Sequence, residues 1–214
     1  MIHDTKAVRR GAPETFVVTD MPFMTYATVE DALRNAARLI QEGGADAVKL
    51  EGGEHFAPIV EALVKAGIPV VGHIGLTPQT TTQLGGFKVQ GKDLESARKL
   101  LRDAETLDAA GILALTLEAI PLEVAKTISE KISAPTIGIG AGSHCDGQVL
   151  VFHDMLGIFD RFKPKFVKVY ADLKSEGVEG IRNYIKEVKE GSFPDNTQHT
   201  YAAAEDLEGK LYGD

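Results

Sequence analysis

Five side chains able to do acid, base or ligand chemistry stand at or near the ends of apolar runs. They are Asp20 in "VVTDMPF", Lys49 and Glu51 in "AVKLEGG", His73 in "VVGHIGL" and Glu118 in "LALTLEAIP". Lys49 and Glu51 are two residues apart, so on a strand they face the same side, with Cα atoms about 6.6 Å apart, two strand rises. Burying either charge alone is costly, so each needs a partner. Two readings fit the pair: a structural ion pair closing a strand end, or a site where Lys49 meets a substrate carboxylate and Glu51 faces a metal ion. Asp20 is either a turn residue before Pro22 or a ligand for a hard cation such as Mg²⁺, which takes one or two protein carboxylates and keeps several waters. Glu118, a lone acid after an apolar run, is either a salt-bridged rim residue or a general base. His73 either hydrogen-bonds a substrate or fills the edge of the core. As a set, these residues suit proton abstraction next to a carbonyl, with a divalent metal holding the enolate.

What must position them is a repeated strand and helix. Apolar runs at 15–23, 45–53, 68–77, 110–121, 134–142 and 148–157 read as strands, the last being the weakest signal. Between them lie helix-period segments. Thr28 with Asp31 opens one, Val29, Ala32, Leu33, Ala36, Ala37 and Ile40 share its buried face, and Gly43-Gly44 end it. Pro58–Ala66 is a short helix closed by Gly67. Asp93 caps the next, with Leu94, Ala97, Leu101 and Ala104 on one face. Pro121 starts another, with Ala125, Ile128 and Ile132 buried. Val178, Ile181, Ile185 and Val188 mark a last amphipathic helix.

Unbroken strand–helix alternation means parallel strands, in an open doubly wound sheet or a (β/α)₈ barrel. The barrel is favoured because the candidate residues end several different strands, and a barrel gathers all such ends at one mouth. No GxGxxG follows the first strand. Six β/α units are countable rather than eight, and the stretch before residue 15 reads as helical or irregular. The expected organisation is one barrel domain over 1–191 and a C-terminal extension over 192–214.

Other features carry weaker signals. Gly52-Gly53 would let the backbone pass close to a ligand. "GIGAG" would cradle an anion only with further support. His144, Cys145 and Asp146 match no zinc spacing and read as a turn. "TPQTTTQLGGFKVQGKD", 77–93, is a long polar loop of the kind that serves as a lid or as ordinary surface.

Composition narrows the function class. The 214 residues are 43% hydrophobic and carry a formal net charge of −8, with no basic block, so nucleic acid is not an expected partner. No apolar stretch is long enough to span a bilayer. One cysteine, Cys145, cannot form an internal disulfide, which points to a reducing, cytoplasmic setting.

The ordered series "VVTDMPF", "AVKLEGG", "GHIGLTPQ", "GFKVQGK", "LEAIP", "IGIGAGSHCDGQVLVFHDMLG" and "FVKVYADL" resembles the ketopantoate hydroxymethyltransferase family over about residues 2–201. The resemblance implies a (β/α)₈ TIM barrel of the phosphoenolpyruvate/pyruvate type, with about six of its eight units in this chain. It implies Mg²⁺, 5,10-methylenetetrahydrofolate as one-carbon donor, a small 2-oxo acid substrate and a homo-oligomer. By resemblance, Asp20 binds metal and substrate, Lys49 the substrate carboxylate, Glu51 the metal, and Glu118 accepts the proton; His73 remains a substrate-binding candidate. The resemblance also implies that Met1 falls at an internal family position. Two β/α units and a Gly-Asp-Ser motif would precede it, leaving a truncated form, a misassigned start or a natural short form as alternatives. Within the same barrel superfamily, an oxo-acid lyase is a competing expectation, as is a non-catalytic assembly chain.

Overall fold

The protein is described here by a computed structural model covering residues 1–203 and 207–211. Two compact units divide the chain, Met1–Leu150 and Val151–Asp214. In the first, helix α1 (Ile2–Gly11) precedes strand β1 (Val18–Asp20). There follow α2 (Val29–Gln41), β2 (Ala47–Glu51), α3 (Ala57–Lys65), β3 (Val70–Gly75), α4 (Leu94–Ala109), β4 (Ala114–Glu118), α5 (Leu122–Lys131), β5 (Thr136–Ile139) and the short β6 (Gly147–Gln148). All neighbouring strands pair in parallel, and the sheet order is the chain order, β1 to β6. A doubly wound sheet reverses direction at a switch point, whereas a barrel wall adds each strand on the same side. The sequential order is that of a barrel wall, here six strands among the described residues.

The helix starts follow their sequence signals. Thr28 Oγ1 accepts a hydrogen bond from the Asp31 N–H at 3.1 Å, and Asp93 closes a capping box with Ser96. Helix α5 begins directly after Pro121. Facing the helices, Val48, Leu50, Val70, Ile74, Leu115 and Leu117 pack against Ala36, Leu63, Leu107 and Ile128 in one apolar core. Full burial of each such aliphatic side chain contributes about 1.5–3 kcal/mol.

Three expectations need correction. The buried side of α4 is Leu100, Asp103, Ala104 and Leu107, while Leu94 is exposed and Ala97 and Leu101 are half-buried. The predicted face is one position out of phase because apolar spacing alone does not place the polar Asp103 on the buried side. The sixth strand is confined to Gly147–Gln148, and most of the apolar run that follows leaves the sheet; Phe152–Met155 is instead helix α6. The close approach at Gly52 and Gly53 is made by the protein's own side chains. A Cβ at Gly52 would meet the Phe56 ring, and one at Gly53 would meet the Asp103 carboxylate.

In the second unit, α7 (Leu173–Glu190) is capped by the Asp172 side chain and ended by Gly191 in the left-handed region, φ 72°. The amphipathic pattern does form a helix, yet none of its residues is buried, Ile181 and Ile185 included. Helix α8 (Glu208–Leu211) lies in the expected C-terminal extension. Of that extension, 204–206 and 212–214 lie outside the described residues.

Candidate active site

Strand register alone brings the five candidates to one face. Asp20 pairs with Lys49 across β1 and β2, and Glu51 pairs with His73 across β2 and β3. Thr116 pairs with His73, so Glu118, two residues further along β4, shares that face. In-register neighbours and i, i+2 residues point the same way, so all five side chains lie opposite the helix-packed face. Each sits at the C-terminal end of its strand or one turn of the pleat before it.

The side chains form a continuous line. Lys49 Nζ is 3.1 Å from Asp20 Oδ2, 4.0 Å from Glu51 Oε1 and 3.4 Å from His73 Nδ1. His73 Nδ1 is 3.6 Å from Glu51 Oε1, and its Nε2 is 3.1 Å from Glu118 Oε2. Glu51 and His73 have only 4% and 3% of their side-chain surface exposed, whereas Asp20 is 43% exposed. The line therefore runs from a solvent-facing carboxylate to a buried imidazole and on to Glu118.

Burial pushes the Glu51 carboxyl up, but the close approach of His73, the hydrogen bond from the Gln79 N–H and the charge of Lys49 hold it below its ordinary value. Burial pushes His73 down, and the flanking carboxylates Glu118 and Glu51 more than reverse that, raising it above its ordinary value. Nδ1 lies between an ammonium and a carboxylate. If it accepts from Lys49 the ring proton is on Nε2, and if the ring is fully protonated Nε2 carries a proton as well. Nε2 nevertheless lacks a well-directed hydrogen bond: Glu118 Oε2 is within reach but off the N–H direction. A buried donor in this position is disposed to bind an incoming acceptor.

Residues outside the predicted set complete the surroundings. The backbone N–H of Gln79, in the 3₁₀ turn Pro78–Thr80, donates to Glu51 Oε2 at 2.9 Å. Tyr26 and the Gln79 side chain lie beside it. Asp103, 3% exposed, accepts from the Glu54 N–H at 2.9 Å and from Lys99 Nζ at 2.6 Å, fixing the turn that follows Glu51. Gln79 stood within the motif "GHIGLTPQ", but nothing in its type announces a role. Asp103 carries no motif in the sequence; its polar type alone does not show that it is buried.

The loop over 77–93 is tied at both ends, at Gln79 and where the Gln90 N–H donates to the Ala119 carbonyl at 3.0 Å. Between the ties, Phe87 and Val89 are exposed. Ala119, directly after Glu118, is buried at φ 48°, the left-handed region that disfavours a side chain. Away from this site, Asp146 Oδ2 accepts from the Thr136 N–H at 2.8 Å and from its hydroxyl at 3.0 Å, so the His144–Asp146 segment is a structural turn.

The donor set decides how far the site suits Mg²⁺. Two carboxylates from adjacent strands face the position of the Lys49 ammonium, and oxygen donors of this kind suit a hard cation. Among the described residues no group of three or more His, Cys, Asp or Glu side chains is arranged to hold a metal. The fit is therefore to an ion with one or two carboxylate ligands, its other positions taken by water or substrate oxygens, and not to an all-protein cage. Among the described residues, no helix is long and apolar enough to cross a membrane.

Comparison with known proteins finds a family and named relatives for the chain. A family model described as ketopantoate hydroxymethyltransferase matches residues 1–196. A protein of Thermoanaerobacter sp. (strain X514) named 3-methyl-2-oxobutanoate hydroxymethyltransferase is 61% identical over 202 residues, 94% of this chain and 73% of that protein. Proteins of the same name from Desulfotalea psychrophila and Thermus thermophilus are 56% and 53% identical, covering 100% and 94% of this chain and 77% of each relative. A solved structure described as a phosphonomutase from Burkholderia cenocepacia J2315 superposes with a TM-score of 0.53 at 13% identity, over 89% of this chain and 74% of that one, a likeness of fold alone.

Proposed function

The chain belongs to the ketopantoate hydroxymethyltransferase family, and from that premise we propose that it transfers a hydroxymethyl group from 5,10-methylenetetrahydrofolate to 3-methyl-2-oxobutanoate, giving 2-dehydropantoate for pantothenate synthesis. The observation that carries the reading is the line Asp20–Lys49–Glu51–His73–Glu118 across four consecutive strand ends. Relatives bearing this enzyme name support the chemistry assigned to it.

In this reading Lys49 binds the carboxylate of the oxo acid, exchanging part of its contact with Asp20 for the substrate. Asp20 and Glu51 are the residues that would hold Mg²⁺, and Asp20 also contacts substrate. When bound, the ion would withdraw electron density from the keto group and make the C3 proton more acidic. Glu118 takes that proton as the general base. His73 Nε2–H, beside the Glu118 carboxylate but without a well-directed partner, hydrogen-bonds substrate. The nucleophilic C3 then forms a C–C bond to the methylene carbon of the folate as its two C–N bonds break; water supplies the hydroxyl oxygen, and the abstracted proton and one proton of that water end on the two nitrogens of the released tetrahydrofolate. Residues 1–191 would form the barrel part of the enzyme and 192–214 an extension. A cytoplasmic homo-oligomer fits the single cysteine and the family resemblance.

The test is turnover. The chain is incubated with 3-methyl-2-oxobutanoate, methylenetetrahydrofolate and Mg²⁺, and 2-dehydropantoate is quantified. Product formation that requires folate and stops with a chelator is expected. No turnover above a Glu118→Gln control would refute the catalytic reading and leave a non-catalytic assembly chain. Turnover of oxo acid indifferent to folate would favour a lyase.

A further inference from the structure

We propose that Gln79 is a positioning residue of the site: its side-chain amide clamps the turn whose backbone N–H fixes the Glu51 carboxylate, and so sets the spacing between Asp20 and Glu51. The inference rests on the reading of those two carboxylates as the metal-holding pair.

Glu51 is a buried carboxylate with few close donors. Lys49 Nζ and His73 Nδ1 stand at 4.0 and 3.6 Å, beyond ordinary hydrogen-bond length. Among the described residues, the Gln79 N–H at 2.9 Å makes the short bond. It occupies Oε2 and leaves Oε1 turned toward Lys49 and His73. A loop N–H is only as well placed as its loop. The local 3₁₀ turn, with the Thr77 and Thr80 hydroxyls 2.8 Å apart, shapes the turn but does not attach it to the strands.

The Gln79 side chain makes that attachment. Nε2 donates to the Met21 carbonyl at 3.0 Å, and Oε1 accepts from the Tyr26 hydroxyl at 3.1 Å. The orientation of the amide is determined by chemistry, because the Met21 carbonyl can only accept. Met21 follows Asp20, and its own N–H donates to the Lys49 carbonyl at 2.8 Å. The Tyr26 hydroxyl also lies 3.4 Å from the Glu51 N–H, and the Tyr26 ring packs edge-on against Phe56, 5.3 Å between centroids. One residue on the β3–α4 loop thus bonds to the ends of both β1 and β2. No part of Gln79 reaches the reacting atoms, so its effect passes through Asp20 and Glu51.

The experiment measures Mn²⁺, as a spectroscopic substitute for Mg²⁺, bound to the metal-stripped chain by electron paramagnetic resonance. The proteins are wild type, Gln79→Met, Tyr26→Phe and Ser129→Ala. Gln79→Met keeps the length of the side chain and removes both hydrogen bonds; Tyr26→Phe removes one and serves if the first variant folds poorly. Ser129, hydrogen-bonded to Thr136 on the far side of the sheet, controls for general destabilisation. Amide exchange at residue 79 is followed without metal. Expected results are a roughly tenfold or greater rise in the Mn²⁺ dissociation constant for Gln79→Met, within the ~10–100-fold range for supporting residues. A smaller rise is expected for Tyr26→Phe and none for Ser129→Ala, even where its melting point falls equally. The residue 79 amide should be protected in wild type and exchange at least about tenfold faster in Gln79→Met. Unchanged Mn²⁺ affinity in both site variants, or unchanged amide protection, overturns this inference and leaves the proposed function standing. No Mn²⁺ binding by wild type overturns both.

Discussion

The same strands obey opposite rules on their two faces. On the helix-packed face, Val48, Leu50, Val70, Ile74, Leu115 and Leu117 are at most 2% exposed and belong to one apolar core. On the other face, next in the chain to Val48, Leu50, Ile74 and Leu117, stand Lys49, Glu51, His73 and Glu118. There Glu51 and His73 are as deeply buried as many core residues, but each must find charged or polar partners. The alternation of a strand is what permits this: a period of two places a hydrocarbon core and a polar row within one peptide unit of each other. The first face determines that the chain folds; the second carries the groups to which the proposed chemistry is assigned. Substitutions on the two faces should therefore fail in different ways.

The largest effect is expected from Glu118→Gln. Loss of the general base should lower kcat by about 10²–10⁴-fold, with a melting temperature close to that of wild type. A large loss of stability with normal kcat would move Glu118 into the structural class. Next is Leu117→Ala, one residue away on the opposite face. Removing a fully buried leucine side chain should cost about 2–5 kcal/mol, seen as a lower denaturant midpoint, while KM for the oxo acid in the folded fraction is unchanged. A smaller change of opposite sign is expected from Ala119→Gly. Relieving a non-glycine residue in the left-handed region contributes about 1 kcal/mol or more, offset in part by the greater freedom of glycine in the unfolded chain. A raised melting point with lowered kcat would show that this strain helps hold Glu118.

The smallest effect is a pH dependence at the start of β5, away from the polar row. The Thr136 N–H and hydroxyl hold the Asp146 carboxyl below its ordinary value. A depressed carboxylate contributes stability above its unfolded pKa and loses that contribution as pH falls through its folded value. The gap in unfolding midpoint between wild type and Asp146→Asn should therefore be present near neutrality and shrink on acidification. A gap that persists in strong acid would contradict the assignment.

The two faces were not equally legible in the sequence. Strand ends were readable because an apolar run closing on Asp, Lys-x-Glu, His or Glu breaks a strong pattern, and the parallel order followed from the alternation with helices. The side of α4 was misread because Asp103 is polar yet buried, with Lys99 and the Glu54 N–H as its partners. The sixth strand was placed too late: valine, leucine and phenylalanine suggested a strand where the chain turns into α6, while the paired residues are Gly147 and Gln148. Gln79 was not legible as a site residue. It acts through a backbone N–H and through partners 53 and 58 positions away in sequence, which neither composition nor periodicity encodes.

Whether the polar row is a substrate site or a structural ion-pair line rests most directly on Lys49. The measurement is KM for 3-methyl-2-oxobutanoate in Lys49→Met, alongside its melting temperature. A KM raised by about tenfold or more is expected, because a substrate carboxylate loses its charged partner, with kcat at saturation less affected. An unchanged KM together with a lowered melting temperature would make Lys49 the keeper of Asp20 and Glu51 alone, and would contradict the site.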